Sequence, residues 1–96
     1  MHVGFFALGE EAFGTFTTSE GAPSAAPTFF VHNANEDNIV SANGTATAFD
    51  TGNLTNAYRW GVELDNNFTR GQVYTVTCRY TVSAVVKQQT FTFNVV

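Results

Sequence analysis

Cysteine is nearly absent. Cys78 is the only one in 96 residues, so no internal disulfide can staple the fold. Charge is scarce too. Asp, Glu, Lys and Arg together make 12 % of the chain, and only four residues are basic: Arg59, Arg70, Arg79 and Lys87. Four scattered cations cannot track a phosphate backbone, so nucleic acid is not an expected partner. The helix builders Lys, Glu and Leu are few, and no stretch sustains a 3.6-residue apolar period. No apolar run is long enough to cross a bilayer, and MHVGFFALGEEAF lacks the basic leader of a signal peptide. Neither export nor a membrane partner is therefore expected.

What remains is a vocabulary of strands and turns. Ten Phe residues, with Val and Thr, favour pleated, half-buried surfaces; Gly and Asn favour turns. The clearest period is two. In GQVYTVTCRYTV, the residues Tyr74, Val76, Cys78, Tyr80 and Val82 share one face, and Thr75, Thr77, Arg79 and Thr81 share the other. AYRWGVEL places Tyr58, Trp60, Val62 and Leu64 inward. TFTFNVV does the same with Phe91, Phe93 and Val95. Further strands are predicted over AFGTFTT (12–18), PTFFVHN (27–33), NIVSA (38–42) and TATAF (45–49), separated by turn clusters. About seven short antiparallel strands at this spacing predict an all-β chain folded as a single β-sandwich. Residues 13–96 form that domain. Residues 1–12 are either its first strand or an extended N-terminal arm that docks on a neighbour.

Few residues suggest chemistry. AFDTGN contains Asp50-Thr51-Gly52, the three letters of an aspartic protease loop, and such proteases share two carboxylates across a dimer axis. A buried apolar approach strand, a second apolar-Gly loop and a C-terminal helix are missing from the sequence, so a turn is the better reading and the protease a remote alternative. Cys78 sits at an inward position and reads as a small packed hydrophobe. The loop NANEDN (33–38) has oxygen ligands without the spacing of a calcium site. No catalytic residue, metal or cofactor is expected. Tyr58, Trp60, Tyr74 and Tyr80 are assigned to the core rather than to a sugar platform. Phe16, Phe30 and Phe49 are placed outward, opposite Phe13 or Phe29. With Val3, Phe5, Phe6 and Leu8 of the N-terminal segment they are the candidate partner-binding residues.

Two resemblances refine this. In NNFTRGQVYTV, Phe68, Gly71 and Tyr74 sit at offsets that resemble the tyrosine corner of immunoglobulin-like and fibronectin-like domains. That likeness implies a Tyr74 hydroxyl bonded to upstream backbone while its ring fills the core. AFDTGNLTNAYRW and FTRGQVYTVTCRYTVSAVV are similar to a pattern in small virion proteins of tailed bacteriophages, over about residues 46–96. The resemblance implies an immunoglobulin-like sandwich of the capsid decoration (cement) type. Such a protein would be made in the host cytoplasm and located on the capsid surface. Its partner would be the major capsid protein or another virion protein, with a homo-dimer or trimer left open. A tail, neck, baseplate or carbohydrate-binding host-adhesion module is the alternative.

Overall fold

The computed structural model describes residues 1–18, 21–49 and 56–96. Among them, eight strands form two sheets. They are β1 (His2–Phe6), β2 (Glu11–Thr17), β3 (Thr28–His32), β4 (Gly44–Thr45), β5 (Thr47–Ala48), β6 (Ala57–Glu63), β7 (Val73–Val82) and β8 (Val85–Val95). The larger sheet has the order β1-β8-β7-β3-β4 and the smaller one β2-β6-β5. The chain is all-β, as the period-two pattern predicts.

The two sheets meet through aromatic side chains. Trp60 on β6 lies 5.7 Å from Phe91 and 6.2 Å from Phe93, both on β8, between ring centroids. Phe16 on β2 stacks against Tyr80 on β7. Val31, Val76, Cys78 and Val95 complete the buried interior. The inward faces of β6, β7 and β8 are those predicted from alternation, with Tyr58 half-buried at the margin. Fully burying a Val, Leu, Ile, Phe or Met side chain contributes about 1.5–3 kcal/mol each, so this aromatic layer dominates the fold's stabilisation.

The corner at Phe68–Tyr74 has its expected geometry. The Thr69 backbone N–H donates to the Tyr74 hydroxyl oxygen at 2.7 Å, and Phe68 meets the Tyr74 ring edge-on at 4.8 Å. Gly71 turns the chain at φ +85°, a conformation other residues adopt at a cost.

Several expectations are corrected. NIVSA is not a strand. Asn38 makes one isolated bridge to His32, and Val40–Ala42 form a single 3₁₀ turn with no buried residue. Its adjacent apolar residues cannot both face inward; Ile39 packs against the core and Val40 is exposed. TATAF spans a crossing between sheets. Gly44–Thr45 pair with β3, Thr47–Ala48 pair with β6, and buried Ala46 between them donates its N–H to the Pro27 carbonyl. Residues 1–12 hold β1 and the start of β2, so a boundary at residue 12 cuts a strand. β1 runs along β8 of its own chain, and in parallel, so the strands are not all antiparallel.

The last strand begins at Val85, well before TFTFNVV. The β7–β8 hairpin closes through Ser83 and Ala84, at φ +50° and +66°. A two-residue turn with both central residues left-handed normally uses Asn-Gly. Nothing in SAVV announces it. Replacing Ser83-Ala84 with Asn-Gly is expected to stabilise the protein by about 1 kcal/mol or more, because it removes left-handed strain from two Cβ-bearing residues. A thermal melt checks this; an unchanged or lowered midpoint contradicts it.

Candidate interaction surfaces

The outward face of the smaller sheet is largely self-satisfied. Glu11 on β2 pairs with Arg59 on β6, and the Arg59 guanidinium lies over the Phe13 ring, 4.7 Å from its centroid. Phe13 is therefore outward and 45 % exposed, while Phe16 is 6 % exposed and in the core. This reverses the predicted facing of Phe16. Both parities of AFGTFTT carry a Phe, so alternation alone does not choose between them. Ala12 and Gly14 share the inward face with Phe16, and at Gly14 a Cβ would clash with the Trp60 indole.

The N-terminal candidates divide. Val3, Phe6 and Leu8 pack against the core, and Phe6 touches both Phe13 and Phe93. Phe5 points away and is 67 % exposed. It sits opposite Asn94 on β8, which in turn sits opposite Val73 on β7. Phe5 and Val73 thus flank one row across three strands, and exposed Val96 follows at the end of β8. His2 holds the row from one side: its ring meets Phe5 edge-on at 5.3 Å and its Nε2 lies 2.6 Å from the Asn94 Oδ1.

The same sheet carries a second feature. Phe30 on β3 is outward and half-buried, and the Arg79 guanidinium on β7 lies over it, 5.4 Å from the ring centroid. Around the pair, His32, Asn38, Thr77 and Gln88 line an open groove of about 320 Å³. Phe49, the last candidate, is half-buried and donates its N–H to the Ala57 carbonyl. Sequence reasoning missed Phe13, Val73, Val85, Val86 and Val96 as exposed apolar residues. It placed Arg79 outward, but nothing local revealed that Arg79 and Phe30 share a site.

Other sequence candidates resolve into structure. Trp60, Tyr74 and Tyr80 are buried, so none offers a sugar platform. Cys78 is buried, and desolvation pushes its thiol up to about 12, which keeps it protonated and unreactive at neutral pH. In NANEDN, the Asn33 Oδ1 accepts from the backbone N–H of Asn35 at 2.9 Å and of Asp37 at 3.0 Å, with Glu36 left-handed; this is an Asx-stabilised turn. Asp50-Thr51-Gly52 lie outside the described residues. Among the described residues no three His, Cys, Asp or Glu side chains gather as metal ligands. No family model matches this chain, and no curated protein matches it.

Proposed function

We propose that this chain is an immunoglobulin-like sandwich serving as a non-enzymatic virion structural protein. In this reading it is a capsid decoration protein that binds and stabilises the assembled head of a tailed phage. The immunoglobulin-like part is supported by strand order. β2-β6-β5 follow the B-E-D order of that family, and β8-β7-β3 follow G-F-C, with β4 added in the variable-type manner. The tyrosine corner stands at the start of β7, the counterpart of strand F. Val76 occupies the place of the second cysteine of antibody domains, so the aromatic core replaces the disulfide.

The observation that carries the binding role is the exposed row around Phe5. Phe5 and Val73, with Val96 beyond them, place apolar surface on the outer face of a sheet that needs none there for its own core. Exposed apolar surface of this kind suits a protein partner. On a shell, many copies of a weak contact add through avidity, and preference for the assembled lattice over free subunits stabilises the shell by mass action.

The test is a copy count in purified particles, together with Phe5→Ser. Decoration predicts hundreds of copies, and heads that lose heat resistance when the variant fails to bind. A handful of copies per particle overturns it. A tail or host-adhesion module is the second reading, and one observation favours it: the polar groove around Arg79, which is unlike an apolar protein contact.

A further inference from the structure

The structure assigns a ligand site to the outer face of the larger sheet: the groove around Arg79 takes the carboxylate of a hydroxylated small molecule, a sugar acid. Three observations carry this. The first is a cation that no described carboxylate neutralises. Arg79 has no carboxylate partner among the described residues, whereas Arg59 on the other sheet is tied to Glu11. An exposed Arg with no acidic neighbour among the described residues, on a chain of net charge −4, is unspent recognition capacity.

The second is its support. The Phe30 ring lies under the guanidinium. Stacking occupies one face of the guanidinium plane and leaves its edge N–H donors for a planar acceptor. A carboxylate matches that fork with two parallel hydrogen bonds. The strand register fixes the arrangement: Thr28 opposes Arg79 and Phe30 opposes Thr77, while Arg79 opposes Gln88 on the far side. Ring and cation therefore come from rigid neighbouring strands and not from a loop.

The third is the lining. Asn38, Gln88, Thr77 and His32 surround the pair with amide, hydroxyl and imidazole groups. These groups donate to and accept from hydroxyls. The Asn38 amide is held in turn by Asn43, whose Nδ2 donates to its Oδ1 at 2.8 Å. A volume of about 320 Å³ falls at the small end of ligand sites. An acidic protein segment fits less well. The groove has no apolar pocket to anchor a side chain, and several clustered carboxylates meet repulsion from a protein of net charge −4. A single carboxylate set among hydroxyls suits both the cation and its lining. The site stands independently of any position in a virion, since it is a property of the free protein.

Titration of the isotope-labelled full chain with sodium glucuronate, followed by amide and Arg side-chain NMR, tests the assignment. Glucose and sodium chloride at matched concentration serve as controls. Glucuronate is expected to shift signals of β3, β7 and β8 around the groove, with glucose weaker. Arg79→Gln is expected to weaken binding by about tenfold to a hundredfold, the loss of hydrogen bonds to a charged group, while its spectrum stays dispersed. Arg79→Lys keeps the charge without the fork and should fall between. The assignment is overturned by no shift at saturation-level glucuronate, by equal shifts with glucose, or by unchanged binding in Arg79→Gln. It is also overturned if an acetylated Asp-Glu dipeptide amide produces the larger shifts, which would give the groove to an acidic protein partner.

Discussion

Removing residues 1–9 is expected to abolish cooperative unfolding or lower the melting midpoint by about 20 °C or more. The argument starts from β1. It lies along β8 with His2 opposite Thr92 and Phe6 opposite Val95. Val3, Phe6 and Leu8 pack on the core, and Phe6 meets the Phe93 ring at 6.0 Å, edge-on. Each half-buried side chain contributes about 0.8–1.5 kcal/mol, half of a full burial, so the three together contribute about 2–4.5 kcal/mol. A domain of this size has about 5–14 kcal/mol in total. Deletion also uncovers β8, an 11-residue strand, as a new open edge that invites aggregation. Circular dichroism melts of the truncated chain read the outcome directly. A truncated monomer that melts within a few degrees of the full chain would show that β1 is dispensable to the fold. The segment would then be a docking arm, and its loss would appear only in partner binding.

The same residues show what local sequence can and cannot specify. Alternation is a local property, so the inward faces of β6, β7 and β8 were legible: each has bulky residues on one parity and Thr, Arg or Glu on the other. Where both parities carry a large apolar side chain, alternation loses its power. Phe13 and Phe16 are such a case; the parity of Phe16 is the one that carries Gly14, where the Trp60 indole leaves no room for a Cβ. Ile39 and Val40 are another, and there the chain gives up the strand altogether. The corner at Phe68–Tyr74 was legible because its parts lie within seven residues. The Ser83-Ala84 hairpin was not, because its left-handed residues are neither Gly nor Asn.

The candidate sites follow the same rule. The outward facing of Phe30 follows from strand parity, but parity does not single out Phe5, because Val3 shares its parity and packs on the core across a register shift between His2 and Gly4. The surroundings of Phe5 and Phe30 needed register between distant strands. Arg79 meets Phe30 because β3 pairs with β7, and Phe5 joins Val73 because β1 and β7 flank β8. Binding surfaces on a sheet face are assembled across strands, so a linear sequence contains their parts without their adjacency. A catalytic motif, confined to one loop, is easier to find; Asp50-Thr51-Gly52 drew notice for that reason alone.

Replacing Gly14 with Ala is expected to cost about 3 kcal/mol, at the upper end of overpacking, although Ala is ordinarily the better residue in a strand. The Gly14 backbone sits directly under the Trp60 indole. An added Cβ would lie 2.6 Å from the Trp60 Nε1 and 2.7 Å from the nearest ring carbon, closer than such atoms approach. The indole cannot withdraw, because Trp60 is fully buried against Phe91 and Phe93. Its Nε1–H has no hydrogen-bond acceptor among the described residues; packing holds the ring, and a shift would open a gap elsewhere in a close-packed layer. Gly61 is the control. It lies opposite Phe13, the residue before Gly14 on β2, and faces outward, and the atoms nearest its added Cβ are the ends of the Glu11 and Arg59 side chains. Those ends are exposed and can swing aside, so Gly61→Ala is expected to change stability by no more than about 0.5 kcal/mol. Denaturant melts followed by Trp60 fluorescence measure both. Equal effects at the two glycines would contradict a rigid indole platform; a large loss at Gly14 alone would place the fold's tightest packing where β2 pairs with β6 at Trp60.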